Sequence, residues 1–200
     1  MKRNGTGKIL YVIATACLIC AGCTGTNLSV HPDPAYLPMN VTKRCGAVAV
    51  KETPADHVYP PAGNLVPGFA IALKKSGLAE KVFYPARPDD QVDLTLDAKF
   101  DVLFDANAGA NLTKSFFVGL TLFLLEPALW YDFDYNLTGK VEVLRGNAQP
   151  QTLQAASDAE ISMKLLSLGE TQKLEGEALP KTKESLYRQL LLKLNDYCTK

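Results

Sequence analysis

Little in this chain of 200 residues suits chemistry at a fixed site. It has 2 histidines, His31 and His57, each among prolines. Neither is flanked by Cys or a carboxylate at ligand spacing, which argues against a metal or general-base pair. No Gly-x-Ser-x-Gly elbow and no phosphate-cradling Gly-x-x-x-x-Gly-Lys-Ser/Thr loop occurs. Charge of one sign is also missing, since 21 Lys+Arg balance 21 Asp+Glu. That leaves no basic excess for nucleic acid. No apolar run reaches the roughly 20 residues of a membrane-spanning helix. Apolar residues nevertheless make up 47% of the chain, enough for one packed domain.

The N-terminus lacks acidic residues altogether before Asp33, while Lys2, Arg3 and Lys8 precede an apolar run from Ile9 to Cys20. A basic start, a short apolar stretch and a small-residue end mark an export signal over residues 1–22. The end, Cys20-Ala21-Gly22-Cys23, resembles the lipobox of bacterial lipoproteins, with Cys20 where that family usually has Leu. The resemblance implies cleavage before Cys23 and lipidation, palmitate included, of that residue. Ordinary signal cleavage nearby, leaving a free Cys23, is the alternative. Cleavage removes three cations and leaves 18 against 21 anions, a formal charge of −3. This disfavours polybasic attachment to anionic lipid. By the same resemblance Thr24, in place of Asp, implies sorting to the outer membrane, on its periplasmic face.

Beyond the leader two cysteines remain, Cys45 and Cys198, and no Cys-x-x-Cys motif. In an oxidising periplasm they are a natural disulfide pair, against the alternative of two separate buried thiols.

Residues 23–44 carry three prolines and no periodicity, and read as a lipidated Cys followed by a flexible tether. A chain of that length spans about 25 Å on average. The folded domain then covers 45–200. Cys45–Val50 reads as a short buried strand. Asn64 reads as the cap of a helix ending at Gly77, and Val82–Tyr84 as a second strand. From Val92 to Phe104, Tyr131 to Val143 and Leu153 to Leu165, apolar residues recur at every second position. Such a period means long strands with one buried face, here a meander joined between 145 and 150 by a hairpin. After Pro180, Leu186, Leu190 and Leu194 give an amphipathic helix that needs an apolar surface to cover. The expected class is α+β, a strand–helix–strand unit plus an antiparallel meander, with helices on one sheet face.

Aspartates at 93, 97, 101 and 105, with Asp132 and Asp134, read as a solvated strand face shared with Lys99 and Lys140. Asn27, Asn40, Asn111 and Asn136 match glycosylation sequons, which in a bacterial chain are coincidences of composition. The unusual stretch is 116–125, FFVGLTLFLL, placed between the two strongest strands. It is apolar nearly all round as a helix and on both faces as a strand. A buried core helix is the first expectation, because three long strands need covering. A membrane or partner contact through Phe116, Phe117, Leu120, Leu122, Phe123, Leu124 and Trp130 is the other.

Phe69–Leu78, followed by Asp93-Leu94-Thr95-Leu96-Asp97, is similar to the helix and next strand of curli-secretion-type lipoproteins. The resemblance covers roughly residues 45–165 in pattern and implies an envelope lipoprotein domain. It carries over no catalytic residue. In that family an insertion at a comparable place forms membrane-spanning hairpins; the segment here is short for two strands of about 9–11 residues.

The functional expectation is a lipid-anchored, non-enzymatic accessory or assembly factor of an envelope complex, using no cofactor and no metal. Its expected partners are the membrane, an envelope protein and, compatibly, further copies of itself, with no nucleic acid. The alternative is a membrane-active oligomer that inserts residues 112–130. A third, an envelope hydrolase, has no nucleophile–base arrangement behind it.

Overall fold

The computed structural model describes residues 25–37, 45–51, 63–121, 124–146 and 148–199. Six strands are present: β1 (Thr26–His31), β2 (Ala47–Val50), β3 (Lys81–Phe83), β4 (Leu94–Asp105), β5 (Tyr131–Leu144) and β6 (Gln151–Met163). The α-helices are α1 (Val66–Ser76), α2 (Ala108–Leu120) and α3 (Thr171–Thr199). The strands form one mixed sheet in the order β1-β6-β5-β4-β2-β3, an α+β fold with helices packed against the sheet. β2 pairs in parallel with both β3 and β4.

Period-two patterning places the long strands. Leu94, Leu96, Ala98, Phe100 and Val102 of β4 are buried, as are Tyr135, Leu137, Val141 and Val143 of β5. The chain divides into two compact units. Of the described residues, one unit holds those within 25–28, 105–134 and 160–176, and the other those within 29–104, 135–159 and 177–199.

In the second unit an aromatic cluster forms the centre of the core. Phe69, Phe100 and Tyr187 have ring centroids 5.8–5.9 Å apart, at tilted or edge-on angles that suit their quadrupoles. The Tyr187 hydroxyl donates to the Leu65 carbonyl at 2.7 Å, and burial pushes the phenol above its ordinary value. Gly139 lets α3 approach the sheet. A Cβ there would lie 2.9 Å from the Phe100 ring and 3.0 Å from Leu190 Cδ1. Asn64 accepts from Val66 N, and Gly77 ends α1 in the left-handed region at φ 71°. Cys45 and Cys198 form a disulfide, with Cα atoms 5.3 Å apart and a separation of 153 positions in sequence.

Three expectations change. Residues 26–31, read as part of a flexible tether, form β1, with Val30 buried. The Ser157 hydroxyl donates to the His31 carbonyl at one end of that pairing. A six-residue edge strand with few apolar positions carries no periodicity strong enough to read. The last helix begins at Thr171 and continues through Pro180, earlier than the start after the proline that its leucine spacing predicts. Tertiary burial of Leu174, Ala178 and Leu179 around the proline outweighs the lost backbone bond. The third change concerns the described part of 116–125: Phe116, Phe117, Leu120, Leu124 and Leu125 are exposed and Val118 is buried, so α2 is not a core helix.

Candidate functional site

All of this site lies within the unit that contains α2. Of the thirteen residues of α2, Asn111 and Val118 are the buried ones. Leu112, Phe116 and Leu120 stand on successive turns of one face, 73%, 63% and 64% exposed. Phe117, Leu124, Leu125, Trp130 and Leu166 are exposed as well. Fully burying a Leu or Phe stabilises by about 1.5–3 kcal/mol, so this surface leaves a large apolar contribution unrealised. Patches of this kind mark contact sites. Leu122 and Phe123, and likewise Cys23 and His57, lie outside the described residues.

Polar contacts hold the opposite face of α2. Asn107, at φ 46°, turns the chain from β4 into the helix, and its Nδ2 donates to the Asp134 carboxylate at 2.8 Å. Asn111 Nδ2 donates to the carbonyls of Ala106 and Asp132 at 2.8 and 2.9 Å, while its Oδ1 accepts from Asp132 N at 3.2 Å. Lys114 Nζ donates to the Trp130 carbonyl at 2.6 Å and to Asp132 Oδ2 at 2.7 Å. The Ser162 hydroxyl donates to Asp132 Oδ1 at 2.8 Å. Burial pulls the Asp132 carboxyl upward, but the bonds from Lys114 and Ser162 and the Lys114 charge outweigh it. They hold the group below the usual carboxylate range.

Glu126 is 1% exposed in the turn that follows. Its Oε1 accepts from Leu165 N at 2.9 Å, and its Oε2 has no hydrogen-bond partner among the described residues. Beside it the Lys164 ammonium lies 4.4 Å from the centroid of the Trp130 ring. The first described residue, Gly25, is fastened here too. Its N–H donates to Ser167 Oγ at 3.0 Å, and its carbonyl accepts from Lys164 N at 2.9 Å. A Cβ on Gly25 would meet Trp130 Cη2 at 3.3 Å.

The aspartates of the strand face are used locally. Asp93 accepts from Ala47 N at 2.8 Å, Asp97 faces Lys51 at 3.9 Å, and Asp105 accepts from Asn107 N at 2.8 Å. His31 lies on β1, in the other unit. The residues that sequence reasoning missed are Asn111, Lys114, Ser162 and Glu126. Their spacing carries no signal, because each acts on a partner sixteen or more residues away.

No family model and no curated protein matches the chain. Among solved structures it is similar to the PelC dodecamer from Paraburkholderia phytofirmans. Identity is 14% and the TM-score 0.38, over 86% of this chain and 98% of that one.

Proposed function

We propose that this chain is a lipid-anchored, non-enzymatic accessory or assembly factor of a bacterial envelope complex. One observation carries the reading. The polar groups gathered in the α2 unit hold a helix in place, and Leu112, Phe116, Phe117 and Leu120 are left outward on it. That is a surface for contact. The Cys45–Cys198 disulfide supports an oxidising compartment. Ala21-Gly22-Cys23 supports the lipid anchor, and Thr24 the periplasmic face of the outer membrane.

The membrane-active reading is favoured by the exposure of Phe116 and Leu120. Among the described residues no helix is long and apolar enough to cross a membrane. The thirteen residues of α2 rise about 20 Å, short of a hydrocarbon core of about 30 Å. That reading therefore takes the form of contact with one leaflet.

The test is a Cys23→Ala chain expressed in a bacterial host. It should lose fatty-acid label and leave the membrane fraction, while the unaltered chain migrates in native gels of membrane extracts as part of a larger assembly. Unchanged mass and fractionation would overturn the anchor. An acylated chain that migrates as a free monomer would overturn the accessory role.

A further inference from the structure

We propose that the outward face of α2, together with Trp130, is a membrane seat. It lies in the headgroup–acyl boundary of the bilayer that holds the N-terminal lipid, and makes a second, non-covalent attachment. The proposal rests on the lipid-anchor reading for its orientation.

The end of the described chain carries the argument. Gly25 is clamped by bonds to Ser167 and Lys164, so near the Trp130 ring that a Cβ on it would lie 3.3 Å from Cη2. Cys23 is two residues away, and two residues reach at most about 7 Å. An acylated Cys23 therefore brings the bilayer to Trp130, with no long tether between lipid and fold.

The chemistry agrees. Trp130 is 39% exposed, and an indole that is part apolar body and part polar N–H suits the lipid interface. From 106 to 125 the sequence contains one charged residue, Lys114, and its ammonium is tied to the Trp130 carbonyl and Asp132. Leu112, Phe116 and Leu120 thus meet acyl chains with no free charge among them. The helix supplies no basic cluster, so a zwitterionic bilayer is sufficient and anionic lipid adds little.

Trp130 is the one tryptophan of the chain, so intrinsic fluorescence reports this place alone. The full chain, isolated from bacterial membranes, is reconstituted into phosphatidylcholine vesicles brominated near the tops of their acyl chains. The seat predicts strong quenching by the brominated lipid and protection from aqueous iodide. Leu112→Gln, Phe116→Gln and Leu120→Gln together, all at exposed positions, should lower the seated fraction by roughly tenfold or more. Leu103→Gln, an exposed leucine of β4, should leave quenching unchanged.

An acylated chain that floats with vesicles yet keeps Trp130 unquenched and open to iodide overturns the seat. So does quenching that the triple variant does not alter. Trp130 shielded from both quenchers, with cross-links to another copy or another protein, means that protein covers the face, which also overturns it. If mass spectrometry finds no acyl group on Cys23, the anchor reading fails separately. In that case flotation with quenching still supports the seat, and absence of flotation overturns it.

Discussion

A single side-chain amide, that of Asn111, joins the start of α2 to the start of β5. It bonds the carbonyls of Ala106 and Asp132 and the N–H of Asp132. Asn111→Ala should therefore cost about 1–3 kcal/mol in urea unfolding. Thr113→Ala, which removes an exposed hydroxyl bonded back to its own helix at Gly109 O, should stay within about 0.5 kcal/mol. Equal losses in both variants would refute the special role of Asn111. Asp132 gives a pH-dependent counterpart. Its carboxyl is held below the unfolded value of about 3.9, so its stabilisation is fully present above that pH and is lost as pH falls through the folded value. Asp132→Asn should then be less stable than the parent at neutral pH and show a shallower decline in stability below about pH 4. Parallel acid-unfolding curves would count against it. None of this was legible beforehand. Asn111 reads in the sequence as a sequon, because spacing records which residues share a face and not which backbone groups an amide will reach across 21 positions.

At the scale of elements, the strands were the most legible part. β4, β5 and β6 fall within two residues of the limits that their alternation implies, because one buried face imposes period two on many consecutive positions. α2 was not legible in the same way. A stretch apolar on all sides identifies no buried face, and the need to cover the sheet favoured core, yet Phe116 and Leu120 are outward. α3 shows a different limit. Pro180 cannot bond the Gly176 carbonyl, and buried Thr182 turns its hydroxyl onto Ala178 O at 2.8 Å, a contact that tends to bend helices. Pro180→Ala should restore the missing bond and, after allowing for a more flexible unfolded chain, raise stability by about 1–2 kcal/mol. A lowered thermal midpoint would instead show that packing around Ala178 and Leu179 requires the proline.

For the whole molecule, the disulfide is the longest-range constraint. In the chain-entropy account, closing a loop of 153 residues contributes about 5 kcal/mol, less any strain. Cys45→Ser with Cys198→Ser should lower the unfolding free energy by several kcal/mol, read by urea titration without reductant. Reductant should bring the parent to the same midpoint. A parent unaffected by reduction would refute the contribution. The pairing was legible from compartment and count. What it joins was not, since the sequence does not say that the end of α3 returns to the residues just before β2.

That closure also bears on biogenesis. Under the proposed export, a chain crossing N-terminus first presents Cys45 outside the cell membrane while its partner is still 153 residues behind. In many secreted proteins such a waiting thiol finds wrong partners, and an isomerase must reshuffle them. Beyond residue 24 this chain has no third cysteine, so two thiols allow one connectivity. With Cys23 acylated as proposed, maturation needs an oxidant and no disulfide isomerase, at a pace set by translocation of the last helix.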